Sequence, residues 1–378
     1  MCCLKGRRDI ALFVSRKADE PSYDYQEIGK ALEQKGLEPR YLTKNITTKN
    51  PLSYIGLSLK EVNGLARCRV CFVDRYDPIV ALINFESEES DADRERNDSS
   101  TPVYTKHPTK PLVIQLWHAF GAYKKFGFQC IDMPEGHSQA DMEAFKIHRN
   151  YSWIICSGEG ARQAFAQAMG YVKERVLPLC RPEYKRLRDM GKQLAASAGS
   201  SPTLLLAPTV RKYDHTVHPF RDLYEHRNGL FEGANQIWAF HPLETADVPK
   251  GNAKQHLAEA DFVITDYSSI AYEAWLLGKR VVFYVPDYGH YRTTPGLNAE
   301  PPRICPDLCV IDERDLAHKL KHWTQHPEEY PQNQLDAFCA PAFEGTPDDP
   351  AQAIAEFVAH SILSKPGSDG FHLYEGFL

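Results

Sequence analysis

The stretch DFVITDYSSIAYEAWLLGKRVVFYVPDY, residues 261–288, decides the fold because it reads as strand, turn, helix and strand without interruption. Residues 262–264 form a short apolar run of the kind that is buried on both faces of a parallel sheet. A hydroxyl-rich turn follows, and a helix begins directly after it. This order of elements is typical of half a nucleotide-binding α/β domain.

The turn after that strand is a candidate phosphate site. Ser268 and Ser269 lie at the start of the predicted helix, where backbone N–H groups are unpaired and the helix dipole is positive. Glu273 lies one turn further in, from where its carboxylate can reach a sugar hydroxyl of a ligand whose phosphates rest on the helix start. Asp266 and Ser268 are also ordinary helix-capping residue types, so the interpretation depends on the rest of the chain.

Length and composition predict two domains of ordinary size, since the chain has 378 residues and 43% hydrophobic content. The formal net charge is -6, and most of it comes from residues 85–100, which we interpret as a solvated loop. The chain shows no basic stripe of the kind that binds nucleic acid, so nucleic acid is not expected as a partner.

The ten cysteines, in a chain without a recognisable signal peptide, favour reduced thiols in a cytosolic protein. Cys68 and Cys71 have CxxC spacing, but they lie in a strand-like segment and no second pair follows, so we expect a structural role. No apolar run approaches the roughly 20 residues that span a bilayer, so any contact with a membrane is expected to be peripheral.

Strand-like and helix-like segments alternate along the chain, which predicts doubly wound α/β architecture. The predicted strands are residues 10–14, 68–74, 112–117 and 152–156 in the first half, then 203–209, 236–242, 262–264 and 307–312 in the second. We therefore expect an N-terminal α/β domain over 1–190, a linker over 191–202, a C-terminal α/β domain over 203–345, and a final helix and tail over 346–378. Pro350 lies just inside the start of that helix, which we expect to pack across the domain boundary.

Polar residues follow four of the predicted strands, and ligands of open α/β sheets bind at the carboxyl ends of strands. His118 follows the strand at 112–117 in the first half. The strand ends of the second half carry Pro208, Thr209 and Arg211, then His241, then the TDYSS turn.

This division predicts a donor nucleotide held by the second domain and an attacking group presented by the first. A histidine with an ordinary pKa of about 6.5 accepts a proton at cytosolic pH, so His118 is a candidate base. Arg211 and His241 would balance the charge of a diphosphate, and neither a metal nor a cofactor is then required. Most of the fifteen histidines are expected at the surface or in packing, but these two directly follow buried strands.

Four ordered blocks carry a resemblance to a known family. These blocks are WHAFGAYKKFG (117–127), APTVRKYD (207–214), AFHP (239–242) and DFVITDYSSIAYE (261–273). In order and spacing the chain resembles the CDP-glycerol glycerophosphotransferases of bacterial teichoic acid synthesis. The resemblance implies a GT-B-like fold, with two Rossmann-type domains facing a central cleft. It also implies transfer of glycerol phosphate from CDP-glycerol to a hydroxyl of a lipid-linked saccharide acceptor, with release of CMP.

The resemblance also implies roles for individual residues. His118 matches the base that deprotonates the acceptor, and His241 matches a second histidine that contacts the donor diphosphate. Glu273 stands where the family often has Asp. The residues that match donor-binding positions are Pro208, Thr209, Arg211, Ser268 and Ser269.

A lipid-linked acceptor implies a cytoplasmic protein that works peripherally at the inner face of the cell membrane. Lys124 and Lys125, interleaved with Tyr123 and Phe126, are candidates to meet an acceptor phosphate or anionic headgroups. Solvated lysines beside packed aromatic residues are the alternative interpretation.

Departures from the family pattern leave the polyol and the acceptor open. Ala119 follows the histidine where the family commonly has glycine, and residues 207–214 lack the tryptophan that is usual before the arginine. A primase, a polymerase and a capsule enzyme that uses CDP-ribitol all fit. Outside the family, the alternatives are a GT-B glycosyltransferase that uses a sugar nucleotide and a non-catalytic regulatory protein that binds a CDP-polyol.

Overall fold

The computed structural model describes residues 7–46, 51–85, 110–194, 201–211, 218–244 and 246–363. The strands are β1 Ile10–Ser15, β2 Glu38–Thr43, β3 Val70–Val73, β4 Leu112–Gln115, β5 Trp153–Ile155, β6 Val176–Leu177, β7 Thr203–Ala207, β8 Asn235–Trp238, β9 Phe262–Thr265, β10 Arg280–Tyr284 and β11 Cys309–Val310. The α-helices are α1 Tyr23–Glu33, α2 Pro51–Arg67, α3 Pro78–Leu82, α4 Gln139–Ala144, α5 Glu159–Met169, α6 Glu183–Gln193, α7 Pro219–Leu230, α8 Ile270–Leu276, α9 Tyr288–Tyr291, α10 Pro301–Ile304, α11 Glu313–Gln325, α12 Gln332–Cys339 and α13 Pro350–Leu363.

The first sheet is parallel and has the strand order β2-β1-β3-β4-β5-β6. Every side chain of β1 is buried, and successive side chains enter apolar clusters on opposite faces of the sheet. Helix α1 covers one face with Ile28 and Leu32, and α5 covers the other with Phe165. A strand buried on both faces explains why its sequence is a continuous apolar run.

The second sheet is also parallel, with the order β11-β10-β9-β7-β8. Its apolar cluster includes Phe120 and Tyr123 from the first half of the chain. The Tyr123 hydroxyl donates a 2.7 Å hydrogen bond to the carbonyl oxygen of Asp266, so the segment after β4 is anchored on the second sheet. The prediction of an α/β fold with two parallel-sheet domains is confirmed.

Helix α13 returns from the end of the second half to the first sheet. Ile354, Ala355 and Val358 have no exposed surface and lie in the same apolar cluster as Phe13 of β1. The helix begins at Pro350, as the sequence predicts. The proposed domain boundaries stay a prediction: α6 extends into the segment that we interpret as a linker, and residues 195–200 lie outside the described residues.

Two strands escape the sequence prediction. Strand β2 is an edge strand in which every residue keeps some exposure, so it lacks an apolar run, and β6 has only two residues. Strand β4 ends at Gln115, earlier than predicted, because Trp117 adopts a left-handed conformation with φ of 59°.

The predicted acidic loop lies outside the described residues, apart from its first residue. Within the described part of the chain, no helix combines the length and apolar content needed to cross a bilayer.

Candidate active site

A cavity of about 900 Å³ lies between the two halves of the molecule, at the carboxyl ends of strands from both sheets. The loops after β3 and β4 form its first wall, and the loops after β7, β8 and β9 form its second wall. The lining residues on these loops are Arg75, Tyr76, Trp117, His118, Lys124 and Lys125, then Pro208, Thr209, His241 and Ser268. Seven of the ten site residues that the sequence predicts therefore meet in one cavity.

His118 is held in the first wall by its Nδ1 atom, which lies 3.3 Å from the carbonyl oxygen of Asp74. A carbonyl oxygen only accepts hydrogen bonds, so this contact assigns the proton to Nδ1. The Nε2 atom then carries a lone pair. The neighbouring Trp117 ring lies 4.4 Å from the imidazole, centroid to centroid, and restricts where that ring can turn. The arrangement suits a group that accepts a proton.

The surroundings of His118 lower its pKa below the usual range. Although His118 is exposed at the cavity, the protein around the ring still displaces water, and this desolvation is the largest cause. The positive charges of Arg75, Arg181 and Lys254 act in the same direction, while the hydrogen bond to Asp74 opposes them. His118 is therefore a neutral imidazole at neutral pH.

His241 is held in the second wall by a backbone donor, whereas His118 is held by a backbone acceptor. The backbone N–H of Leu243 donates a 3.1 Å hydrogen bond to its Nδ1 atom. Nδ1 must then be unprotonated, which places the proton on Nε2. His241 thus presents an N–H donor from a neutral ring, whereas His118 presents a lone pair.

Ser268 and Ser269 occupy different positions at the start of α8. Ser268 lines the cavity, and its hydroxyl accepts a 3.4 Å hydrogen bond from the backbone N–H of Ile270. Ser269 is the N-cap residue of α8 and makes no side-chain capping bond. It does not line the cavity, so its predicted contact with a phosphate stays a prediction.

Arg211 differs from its expected geometry, because it is only 3% exposed and lies outside the cavity lining. Its guanidinium forms ion pairs of 2.8 Å with Asp266 and with Asp287. Although burial alone would lower its pKa, these two carboxylates outweigh burial and raise it. Asp266 also accepts a 3.0 Å hydrogen bond from the backbone N–H of Thr209. In this structure Arg211 joins the loops of the second wall.

Glu273 also departs from its expected position. Its side chain is 2% exposed and forms an ion pair with Lys254, and it does not line the cavity. The expected contact with a sugar hydroxyl stays a prediction. Local sequence gave no sign of this partner, because Lys254 lies on a different segment 19 residues earlier.

Lys124 and Lys125 line the cavity on a segment that touches both halves. Lys124 pairs with Leu297 in an isolated antiparallel bridge, and the backbone N–H of Lys125 donates a 3.1 Å hydrogen bond to the carbonyl oxygen of Gly296. The second half therefore fixes the backbone from which these two lysines extend.

Sequence reasoning missed two residues that line the cavity, Arg75 and His148, and one buried residue behind its first wall, Gln115. Arg75 lies two positions past β3. Gln115 is fully buried at the end of β4, and the apolar residues beside it in the sequence gave no sign of a polar role. His148 lines the cavity and is 5% exposed, and burial lowers its pKa to about 4. The position of Arg75 at a strand end was the signal that could have found it.

A metal site is not part of this cavity within the described residues. Elsewhere in the described part of the chain, one group of histidine and acidic side chains lies close enough together to hold an ion, and it consists of His326, Glu328 and Glu329. All three are exposed, and none of them lines the cavity.

Two parallel-sheet domains around a shared cavity define a GT-B-like protein. A model of the family described as CDP-glycerol:poly(glycerophosphate) glycerophosphotransferase matches residues 2–358, and the chain belongs to this family. The fold is similar to that of the wall teichoic acid polymerase TagF, with a TM-score of 0.61 at 16% identity over 94% of this chain and 89% of that one. A UDP-GlcNAc 2-epimerase from Methanocaldococcus jannaschii shares the fold more distantly, with a TM-score of 0.50 at 12% identity over 93% of this chain and 99% of that one.

Curated relatives include enzymes named for two polyols. The chain is 26% identical to a teichoic acid ribitol-phosphate primase of Bacillus spizizenii, over 71% of this chain and 75% of that protein. It is 28% identical to a teichoic acid glycerol-phosphate primase of the same organism, over 58% of this chain and 62% of that protein. Similarity of this degree does not separate one polyol from the other.

Proposed function

We propose that the protein transfers glycerol phosphate from CDP-glycerol to a hydroxyl of a lipid-linked saccharide acceptor and releases CMP. The observation that carries this proposal is the pair of histidines with opposite tautomers on the two walls of one cavity. One wall offers a base and the other offers hydrogen-bond donors, which is the division that an attack on a diphosphate requires. Family membership supports the choice of a CDP-polyol as donor.

In the proposed reaction, His118 Nε2 accepts the proton of the acceptor hydroxyl as its oxygen attacks the phosphorus atom that carries glycerol. A new P–O bond joins the acceptor to glycerol phosphate. The P–O bond to the bridging oxygen breaks, and that oxygen leaves with CMP. Because the pKa of His118 is lowered, the neutral base is available at neutral pH before substrate binds.

The second wall would hold the diphosphate by hydrogen bonds. His241 Nε2–H and the Ser268 hydroxyl line the cavity and are suitable donors. Thr209 lines it too, and its backbone is held by Asp266. Arg211 would act indirectly, by keeping the loops after β7 and β9 together.

The acceptor would approach from the first wall, where Lys124 and Lys125 supply positive charge. We propose that this acceptor is lipid-linked and that the protein meets it as a peripheral protein at the inner face of the cell membrane. Cations near such a surface favour anionic phosphate and headgroups. An acceptor with its prenyl diphosphate intact should therefore react faster than the same saccharide without it.

The alternatives predict different leaving groups or none. A CDP-ribitol enzyme releases CMP from CDP-ribitol, a glycosyltransferase releases a nucleotide from a sugar nucleotide, and a regulatory protein binds a CDP-polyol without turnover. The decisive experiment measures nucleotide release from CDP-glycerol, CDP-ribitol and a panel of UDP-sugars. The acceptors are a synthetic prenyl-diphosphate disaccharide with and without one glycerol phosphate.

CMP release that depends on the acceptor and on His118 is the expected result, and it would also identify the polyol. Release of UDP alone would contradict the proposal in favour of a glycosyltransferase. Binding of CDP-glycerol without any release, unchanged in His118→Ala, would favour the regulatory protein.

A further inference from the structure

Arg75 and His118 lie on two loops that a buried glutamine joins. Gln115 Nε2 donates a 3.1 Å hydrogen bond to the carbonyl oxygen of Arg75, and Gln115 Oε1 accepts a 2.9 Å hydrogen bond from the backbone N–H of Trp117. Gln115 has no exposed surface. The contact between His118 and the Asp74 carbonyl ties the same two loops a second time. The backbone next to Arg75 is therefore fixed relative to the proposed base.

The guanidinium of Arg75 keeps unused donors at the cavity. Its side chain is 32% exposed and lines the cavity. The ion pair that it forms with Asp74 is long, because its buried Nε atom lies 3.6 Å from Asp74 Oδ1 and has no hydrogen-bond partner among the described residues. Two buried arginines, Arg211 and Arg181, form closer ion pairs than Arg75 does. Arg211 is paired with two carboxylates, and Arg181 forms ion pairs with Asp24 and with a second acidic residue.

The walls differ in charge around the space where a phosphoryl group would react. The second wall offers neutral hydrogen-bond donors to the cavity, because its arginine, Arg211, is neutralised by the carboxylates of Asp266 and Asp287. Arg75 is the one arginine among the described residues that line the cavity. A planar guanidinium binds phosphate oxygens in a bidentate way that an ammonium group cannot reproduce.

We infer that Arg75 is a substrate-binding residue that donates hydrogen bonds to a phosphoryl oxygen beside His118. This inference rests on the proposed function, because it requires a phosphate-bearing substrate in the cavity. Arg75 would bind negative charge that grows as the P–O bonds rearrange, and it would do so from the acceptor side.

A second effect of Arg75 acts on the base itself. The charged groups that lower the pKa of His118 are Arg75, Arg181 and Lys254, whereas the hydrogen bond to the Asp74 carbonyl raises it. A cation disfavours the protonated imidazole, so removal of Arg75 raises the pKa of His118. The base is then protonated at a higher pH, and the acid limb of kcat/KM moves upward in pH.

The test compares Arg75→Gln and Arg75→Lys with a matched control, Arg69→Gln. Arg69 lies at the opposite end of the same strand, where it pairs with Asp9 at 2.8 Å. We expect kcat/KM with the best CDP-polyol to fall about 10² to 10³-fold in Arg75→Gln, by analogy with loss of one preorganised donor to a developing charge. Arg75→Lys should recover part of this loss, and Arg69→Gln should stay close to wild type.

Two further measurements separate a substrate contact from a structural role. The acid limb of kcat/KM should move to higher pH in Arg75→Gln. CDP-glycerol affinity, measured by calorimetry, should fall, but by less than kcat/KM, because the negative charge that Arg75 binds grows during the reaction. Titration of the His118 ring by NMR should show the same upward shift without any turnover. An unchanged kcat/KM, or an unchanged His118 titration together with a lowered Tm, would overturn the inference.

The activities of the wild type and of Arg75→Gln together show whether the proposed function or only the role of Arg75 is wrong. If wild-type protein releases no nucleotide from any donor, the proposed transfer is wrong and Arg75 loses its proposed substrate. If wild type is active and Arg75→Gln is equally active, the transfer stands and only the inference is wrong.

Discussion

The two walls of the cavity use the same side chain in opposite ways. On the first wall a backbone carbonyl accepts a hydrogen bond from Nδ1–H of His118, so Nε2 is left as a base. On the second wall a backbone N–H occupies Nδ1 of His241, so Nε2 becomes a donor. The difference teaches that the role of each histidine is set by one backbone neighbour, and the residue type alone does not reveal it.

The walls also differ in how they are braced. A neutral amide, Gln115, joins the loops of the first wall and leaves the charge of Arg75 at the cavity. A buried ionic cluster of Asp266, Arg211 and Asp287 joins the loops of the second wall and keeps its charges away from the cavity. The second wall is thus stabilised by charge, and the first presents charge to the substrate.

The largest expected effect is on the base of the first wall. His118→Ala removes the group that accepts the acceptor proton, so kcat should fall by about 10² to 10⁴-fold. CDP-glycerol binding, measured by calorimetry, should be largely retained because the donor is assigned to the other wall. His318→Ala, an exposed histidine on α11, is the control and should be fully active. Loss of donor binding in His118→Ala with an unchanged kcat would reverse the assignment of the two walls.

The ionic brace of the second wall is tested by Arg211→Met. The substitution leaves two buried carboxylates without their partner, and unfolding free energy should drop by about 3 to 5 kcal/mol. Urea denaturation measures this loss. Arg40→Met, which breaks an exposed pair with Glu38, should cost at most about 1 kcal/mol. If Arg211→Met keeps its stability and instead raises KM for the donor, Arg211 binds the donor, as the sequence predicted.

His241 is expected to have the next largest effect. His241→Ala removes one hydrogen-bond donor to the diphosphate, so kcat/KM should fall by about 10² to 10³-fold. His241→Gln offers a side-chain N–H again and should recover part of the rate. The acid limb of the pH profile should remain in both variants, since it belongs to His118. Its disappearance in His241→Ala would show that His241 is the base.

The neutral brace of the first wall should give the smallest effect. Gln115→Glu removes the N–H group that donates to Arg75, and an unsatisfied buried polar group costs about 1 to 3 kcal/mol. We expect a lower Tm and a kcat/KM reduced by roughly tenfold. Gln163→Glu on α5 is exposed and serves as the control. A Gln115→Glu variant with wild-type Tm and kcat/KM would show that the two loops do not need this bridge.

Much of the fold was predictable because buried parallel strands appear as apolar runs, as in β1 and β9. The residues that follow such runs were predictable for the same reason, which is how His118 and His241 were found. Strand β2 was missed because an exposed edge strand carries no such run.

The roles of Arg211 and Glu273 were not predictable from local sequence. Asp287 lies 76 residues beyond Arg211, and only the fold brings the two together. Gln115 was missed because it lies in an apolar run. That position suggested burial, but it gave no sign of the two backbone groups to which the Gln115 side chain hydrogen-bonds. Motifs locate the walls of the site, whereas ion pairs between distant residues decide which polar groups reach the cavity.

The return of α13 to the first sheet has a consequence for the order in which the protein is made. Ile354, Ala355 and Val358 complete the apolar cluster around Phe13, yet they are synthesised more than 300 residues after it. Domains generally fold as units in the order in which they leave the ribosome. We therefore expect one apolar face of the first sheet to stay incomplete until the second half has been translated, which would leave the nascent chain prone to aggregation for most of its synthesis.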